Sequence, residues 1–107
     1  MRILVPLFSL VMCAATSQAM AMSGDPVAGR AFARYKCAEC HDIGDLEPPS
    51  KAKRGPSFMA ISHRPKTTDD SLRTFLVLPH AGMPNFPISR QDLNDVIAFI
   101  LGMRKWN

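Results

Sequence analysis

The apolar positions of this 107-residue chain change their spacing several times along its length. From Ile3 to Ala15 they run almost without a break, behind a single basic residue, Arg2. Beyond Asp25-Pro26 they recur at Ala28, Ala31, Phe32 and Tyr35, the i, i+3, i+4, i+7 spacing of one helical face. Asp25 stands as an N-cap and Pro26 at the first helical position, so a helix is expected that runs into Cys37. A short helical turn is expected over Ser57 to Ile61. Thr68 opens a third candidate, with Asp69 and Asp70 favourably placed at a helix N-terminus and Leu72, Phe75 and Leu76 behind them. The best-defined helix comes last. Ser89-Arg90-Gln91-Asp92 has the form of a capping box with Asp in place of Glu, and Leu93, Val96, Ile97, Ile100 and Leu101 follow as an apolar stripe. No segment alternates with period two over a useful length, so the expected fold class is all-α, with three to four short helices. Asp42 to Gly55 is the longest expected loop.

The first apolar run has the length of a signal-peptide core and is too short for a membrane span, which needs roughly 20 residues. Small residues at Ser17-Gln18-Ala19 and Ala19-Met20-Ala21 offer two cleavage points. Cleavage after Ala21 is expected, with Ala19 as the alternative, so residues 1–21 are a removed signal peptide and 22–107 the functional domain. The expected location is the periplasm, with no stable membrane span. Cys13 sits where a lipid-attachment cysteine could stand, but Met12 occupies the place of a small residue. Cys13 therefore reads as part of the removed leader.

Composition narrows the function. Thirteen Lys+Arg against nine Asp+Glu give a net charge of +4, and six Phe, one Tyr and one Trp are spread along the chain. A nucleic-acid reader would gather its basic residues into a stripe with aromatics among them, and none is expected here. Three cysteines are too few for a disulfide scaffold.

Cleavage leaves two of them, in Cys37-Ala38-Glu39-Cys40-His41. The C-x-x-C-H pentapeptide reads as a c-type haem attachment site. Two thiols on one turn can each add to a haem vinyl group, and the following histidine then lies under the iron. One covalently attached haem c is the expected cofactor, held by Cys37 and Cys40, with His41 as an axial ligand. The competing readings are weaker. Zinc would need two more ligands, and His63 and His80 lie in no paired motif. A thioredoxin-like redox pair would need a βαβ context that does not flank Cys37. An apolar cofactor would also supply core that so short a chain lacks.

From Gly24 to Arg104 the sequence resembles a small bacterial class I cytochrome c. The resemblance implies three to four short helices wrapped around one haem. It implies that the first and last helices cross closely, with Gly29 at the crossing and Phe99 covering it. It also matches Gly55-Pro56-Ser57-Phe58 to the family's Gly-Pro segment, so the Pro56 carbonyl is expected to accept a hydrogen bond from His41, fixing its tautomer and orientation. A tryptophan or tyrosine that many members place between this segment and the distal methionine loop is missing from residues 57–78. Arg54, Arg64 and His80 are the candidates for haem propionate contacts.

Met83 is the expected sixth ligand. It lies in Pro79-His80-Ala81-Gly82-Met83-Pro84-Asn85-Phe86, a Gly- and Pro-bounded loop that matches the family's distal loop. His80 is the alternative, while Met59 and Met103 fall at helical spacing, where methionine fills core. His/Met ligation implies electron transfer at a raised potential, with both axial positions filled. The expected function is a periplasmic carrier of one electron between redox proteins such as a dehydrogenase, a cytochrome complex or a terminal oxidase or reductase. The alternatives are a haem-bearing subunit of a dehydrogenase complex, and a ligand-sensing haem protein if Met83 is labile. No catalytic motif is present, so no enzyme is expected. Lys51, Lys53, Arg54, Arg64 and Lys66 are either a docking surface for an acidic partner or ordinary solubility charges.

Overall fold

The computed structural model describes residues 24–44, 54–78 and 82–106. The expectations placed on the leader, its cleavage point and Cys13, on Lys51 and Lys53, and on His80 lie outside the described residues. The fold is all-α, as the sequence predicts. Its elements are α1 (Pro26–Lys36), α2 (Phe58–His63), α3 (Asp69–Val77), α4 (Arg90–Gly102) and a closing 3₁₀ turn (Met103–Lys105).

Each helix begins on a side-chain cap that satisfies one of its first amide groups. The Asp25 carboxylate accepts from the Val27 amide at 2.8 Å, and Ser57 Oγ accepts from the Ala60 amide at 3.0 Å. Thr68 and Ser71 form a reciprocal capping box, each side chain accepting from the other's amide at 3.1 and 2.8 Å. At α4 the Ser89 hydroxyl accepts from the Asp92 amide at 3.0 Å and donates to the Asp92 carboxylate at 2.7 Å. Asp92 thus closes the box through the hydroxyl, where a Glu would reach back to the N-cap amide. Arg34 and Lys36 occupy the last turn of α1, where positive charge complements the helix dipole.

The core gathers around α4. Leu93, Val96, Ile97 and Ile100 are buried, and they meet Ala33, Ile43, Phe58, Leu72 and Met103. Met103 fills core as expected, whereas Met59 is 36% exposed. α1 packs chiefly on α4. The face it uses differs from the one its apolar spacing predicts. Gly29 and Ala33 are buried and Phe32 is half-buried, while Ala28 and Ala31 are exposed and Tyr35 is 81% exposed. The reason is the closeness of the crossing. A Cβ on Gly29 would stand 1.9 Å from the Asp95 carbonyl oxygen, and one on Gly24 equally close to that of Asn94. The inner face of α1 is defined by small residues at the crossing, so Val27 and Tyr35 are left outside while Phe32 packs at the edge of the core.

Polar ties lock this arrangement. The buried Asp95 carboxylate accepts from the Asp25 amide and from the Gln91 side chain, both at 2.8 Å, fastening the start of α1 to the middle of α4. Arg73 on α3 donates to the buried Asn94 side chain at 2.8 Å and pairs with Asp69 at 3.1 Å. Arg104, past the end of α4, donates to the Ser62 carbonyl at 2.6 Å and also to the Thr67 carbonyl. That side chain holds the α2–α3 connection against the C-terminal end of the core. An Arg104→Met variant keeps the aliphatic stem and removes both donors beside two buried residues. It is expected to lose about 1–3 kcal/mol of stability, read as a lower urea midpoint at unchanged slope.

Candidate haem site

The attachment pentapeptide follows directly from the end of α1. Cys37 caps the helix by donating its amide to the Ala33 carbonyl at 2.7 Å. A tight turn follows, in which the amides of Cys40 and His41 both donate to the Cys37 carbonyl, at 3.1 and 2.9 Å. This turn brings both thiols and the imidazole to the same end of α1. Both cysteines are free thiols. Cys37 is buried and Cys40 half-buried.

Burial pushes the Cys37 thiol up from 9.0 to about 11. At neutral pH its thiolate fraction is therefore about a hundredfold below that of a thiol at the ordinary value. The greater nucleophilicity of the more basic thiolate recovers about tenfold of this. In the haem-free chain, alkylation of Cys37 by iodoacetamide is expected to be at least about tenfold slower than that of an ordinary thiol. Its rate should keep rising with pH beyond 9, reaching half its maximum only at about 11. Peptide mass spectrometry after timed quenching, with a denatured control, measures it.

His41 is held from three sides by the segment that follows α1's turn in space. Its Nδ1 lies 2.6 Å from the Pro56 carbonyl oxygen. A Cβ on Gly55 would sit 2.4 Å from His41 Cε1, so the glycine backbone lies flat against the ring. The Phe58 ring covers another side, with centroids 5.4 Å apart. Two backbone bonds fasten this segment on either side of the histidine: Gly55 amide to Cys40 carbonyl at 2.7 Å, and Phe58 amide to Asp42 carbonyl at 2.9 Å. A carbonyl can only accept, so Nδ1 carries the proton and Nε2 is the lone-pair nitrogen of the neutral ring. The imidazole is prepared to donate from Nε2 to a metal.

Phe58 also extends the contact inward. Its ring meets that of Phe99 at 6.1 Å, and Phe99 Cβ lies against Gly29 at the helix crossing. The roles of Gly29, Phe99 and Pro56 were implied by family likeness alone. It offered no sign that Gly55 and Phe58 enclose the histidine, beyond the Gly-Pro signal itself.

Elsewhere, Gly82 adopts a left-handed φ of 80° and turns the chain into Met83, which is half-buried. After it, Asn85, Phe86, Pro87 and Ile88 face Leu76 and Val77 across a cavity of about 300 Å³. Phe75, Val77 and Leu78 remain about half exposed. Arg54 and Arg64 are exposed, Arg54 directly before the histidine clamp and Arg64 at the C-cap of α2. His63 is exposed at the end of α2. Among the described residues no three His, Cys, Asp or Glu side chains gather to hold a metal ion. Two free thiols on one turn, one imidazole with Nε2 available and half-exposed apolar side chains on α3 are a set that a covalently attached prosthetic group would fit.

These features define a small all-α c-type cytochrome domain. No family model matches the chain. Cytochrome c-552 of Bradyrhizobium diazoefficiens is 35% identical over 95 residues, covering 89% of this chain and 90% of that protein. The chain belongs to the small class I cytochromes c, a family of haem-based electron carriers. Membership implies covalently bound haem c and redox proteins as partners. No helix of the described residues is long and apolar enough to cross a membrane.

Proposed function

We propose that the chain, once residues 1–21 are removed, works in the periplasm as a carrier of single electrons on one haem c. Cys37 and Cys40 would hold the group covalently, and His41 Nε2 and Met83 would ligate its iron. The haem supplies a single iron that exchanges one electron. The protein supplies the setting. Pro56 keeps the His41 proton on Nδ1, and Gly55 and Phe58 prevent the ring from turning. Gly82 and Pro84 flank Met83 in the chain, and its thioether would favour the reduced metal and raise the potential. Arg54, Arg64 and His80 are the groups proposed to meet the propionates, and the exposed Arg54, Arg64 and Lys66 extend positive charge toward an acidic redox partner.

The observation that carries this reading is the 2.6 Å contact between His41 Nδ1 and the Pro56 carbonyl, which selects the ring nitrogen left for the metal. Absorption spectra of the exported protein test it in the oxidised, reduced and carbon monoxide-treated states. A c-type reduced spectrum, a weak far-red thioether-to-ferric band and no response to carbon monoxide are expected. A spectrum without that band that shifts with carbon monoxide would move the protein to ligand sensing. Co-purification with a large dehydrogenase subunit would make it a resident subunit instead of a shuttle.

A further inference from the structure

The buried Phe58 ring stands between two aromatic partners. It faces His41 at 5.4 Å between centroids and 52° between planes, and Phe99 at 6.1 Å and 59°. Both are tilted contacts in the range where aromatic rings attract one another. Only 4% of Phe58 is exposed, so its ring borders protein on nearly every side. It is carried by α2, a helix of six residues, too short to be rigid by itself. Phe99 is carried by α4, the 13-residue helix around which the core gathers. Behind it stands α1. A Cβ on Gly29 would lie 2.9 Å from Phe99 Cβ, so Phe99 has no room to withdraw toward the crossing.

We propose that Phe99 is a positioning residue for His41, acting through Phe58. The Phe58 ring cannot leave the imidazole on that side without displacing Phe99, whose place is set by the crossing of α1 and α4. Phe58 also follows Pro56 by two residues, so holding it holds the carbonyl that lies 2.6 Å from His41 Nδ1. A bond that short tolerates little drift. The helix crossing, which carries no ligand of its own, thereby sets the orientation of the imidazole and the strength of its Nδ1 bond. That bond makes Nε2 the stronger donor, and a stronger donor favours the oxidised metal. The inference rests on His41 as an axial ligand, as proposed above, and does not depend on which residue is the sixth.

The test is Phe99→Ala in the haem-loaded protein, read by the NMR signal of the His41 Nδ1 proton in the reduced state and by the reduction potential. With the support gone the Nδ1 bond weakens, so the proton signal should move and the potential should rise. Mere loosening of the fold would admit water, which favours the more highly charged ferric iron, and would lower the potential instead. Phe58 ring flips should quicken by about three- to tenfold, the weight of one aromatic pair. Phe99→Tyr keeps the ring and should restore the parent signals. Phe99→Leu keeps part of the bulk and should shift both readouts in the same direction by less, which also serves where the alanine variant does not fold. Phe32→Ala is the control. It removes a half-buried ring from the same helix pair, but that ring meets Phe86, 6.4 Å away and beyond Met83 in the chain. It should leave the His41 proton in place. An unmoved His41 proton in the folded Phe99 variants would overturn the proposal, as would a potential that falls, or an equal shift in Phe32→Ala. A parent protein without a c-type spectrum would overturn the ligation itself, and the inference with it.

Discussion

Gly29→Ala is expected to cost the folded protein about 2 kcal/mol and Gly29→Val about 4 kcal/mol, lowering the thermal midpoint by roughly 10 °C or more. The size follows from what the new Cβ meets. It would fall 1.9 Å from the Asp95 carbonyl oxygen, 2.4 Å from its carbon and 2.9 Å from Phe99 Cβ. Two of these are backbone atoms of α4, so relief requires one helix to move away from the other. Alanine recovers about 1 kcal/mol of helix propensity over glycine, which is why its net cost stays below the full overpacking penalty. Valine gains less propensity and adds two methyl groups to the same contact. Gly102 provides the control, because it is helical and nothing lies within 4 Å of its added Cβ. Gly102→Ala should therefore raise the midpoint by a few degrees. Thermal unfolding followed by circular dichroism compares them. A Gly29→Ala midpoint equal to that of the parent would show that the two helices do not approach this closely.

Met83→Ala is expected to have the largest effect on electron transfer while leaving the fold nearly intact. Met83 is half-buried on a turn and belongs to no helix, so its truncation removes less packing than a core methionine such as Met103 would. On the proposed ligation, however, it takes the thioether from one axial position. The far-red band should disappear, carbon monoxide should bind the reduced protein, and the potential should fall by roughly 0.1 V or more, within the about 0.8 V range that axial ligands span. Met59→Ala is the companion variant. Its side chain is 36% exposed on α2, and its loss should leave the band in place. An unchanged band in Met83→Ala would transfer the ligand role to another methionine, with Met59→Ala as the next test, whereas ligation by His80 would leave the parent itself without the band.

Local signals made the helices legible from the sequence. Asp25-Pro26, Thr68 with its two aspartates, and Ser89 with Asp92 each mark a helix start that the structure places at the same residue. The stripe of α4 reads correctly because large branched side chains carry its burial. The face of α1 reads wrongly for the opposite reason. Apolar periodicity detects side chains, and this helix packs by lacking them at Gly29. The long-range ties were also invisible. Nothing near Arg104 in sequence announces that it reaches the carbonyls of Ser62 and Thr67, and Asp95 looks like one more polar residue on a helix. At the site, the pentapeptide carries the proposed attachment in its own spacing, two thiols on one turn directly before a histidine. What encloses the histidine comes from residues fourteen to seventeen positions later: family likeness pointed to Pro56, while the parts played by Gly55 and Phe58 emerge only in the fold.

That clamp has a consequence for how the protein would answer mutagenesis. Its hydrogen bonds are made by the Gly55 amide, the Pro56 carbonyl and the Phe58 amide, all of them main-chain groups, and the Phe58 ring is its one side-chain contact with the imidazole. Substituting Arg54, Pro56 or Ser57 by alanine leaves every one of those groups in place. A side-chain scan across the segment would therefore leave the hydrogen bond to His41 in place, disturbing the ring only at Phe58 and at Gly55, where a methyl group has no room, while Ser57→Ala would register as the loss of the α2 cap. The part of the chain that governs the histidine most closely is thus the part whose side chains report on it least.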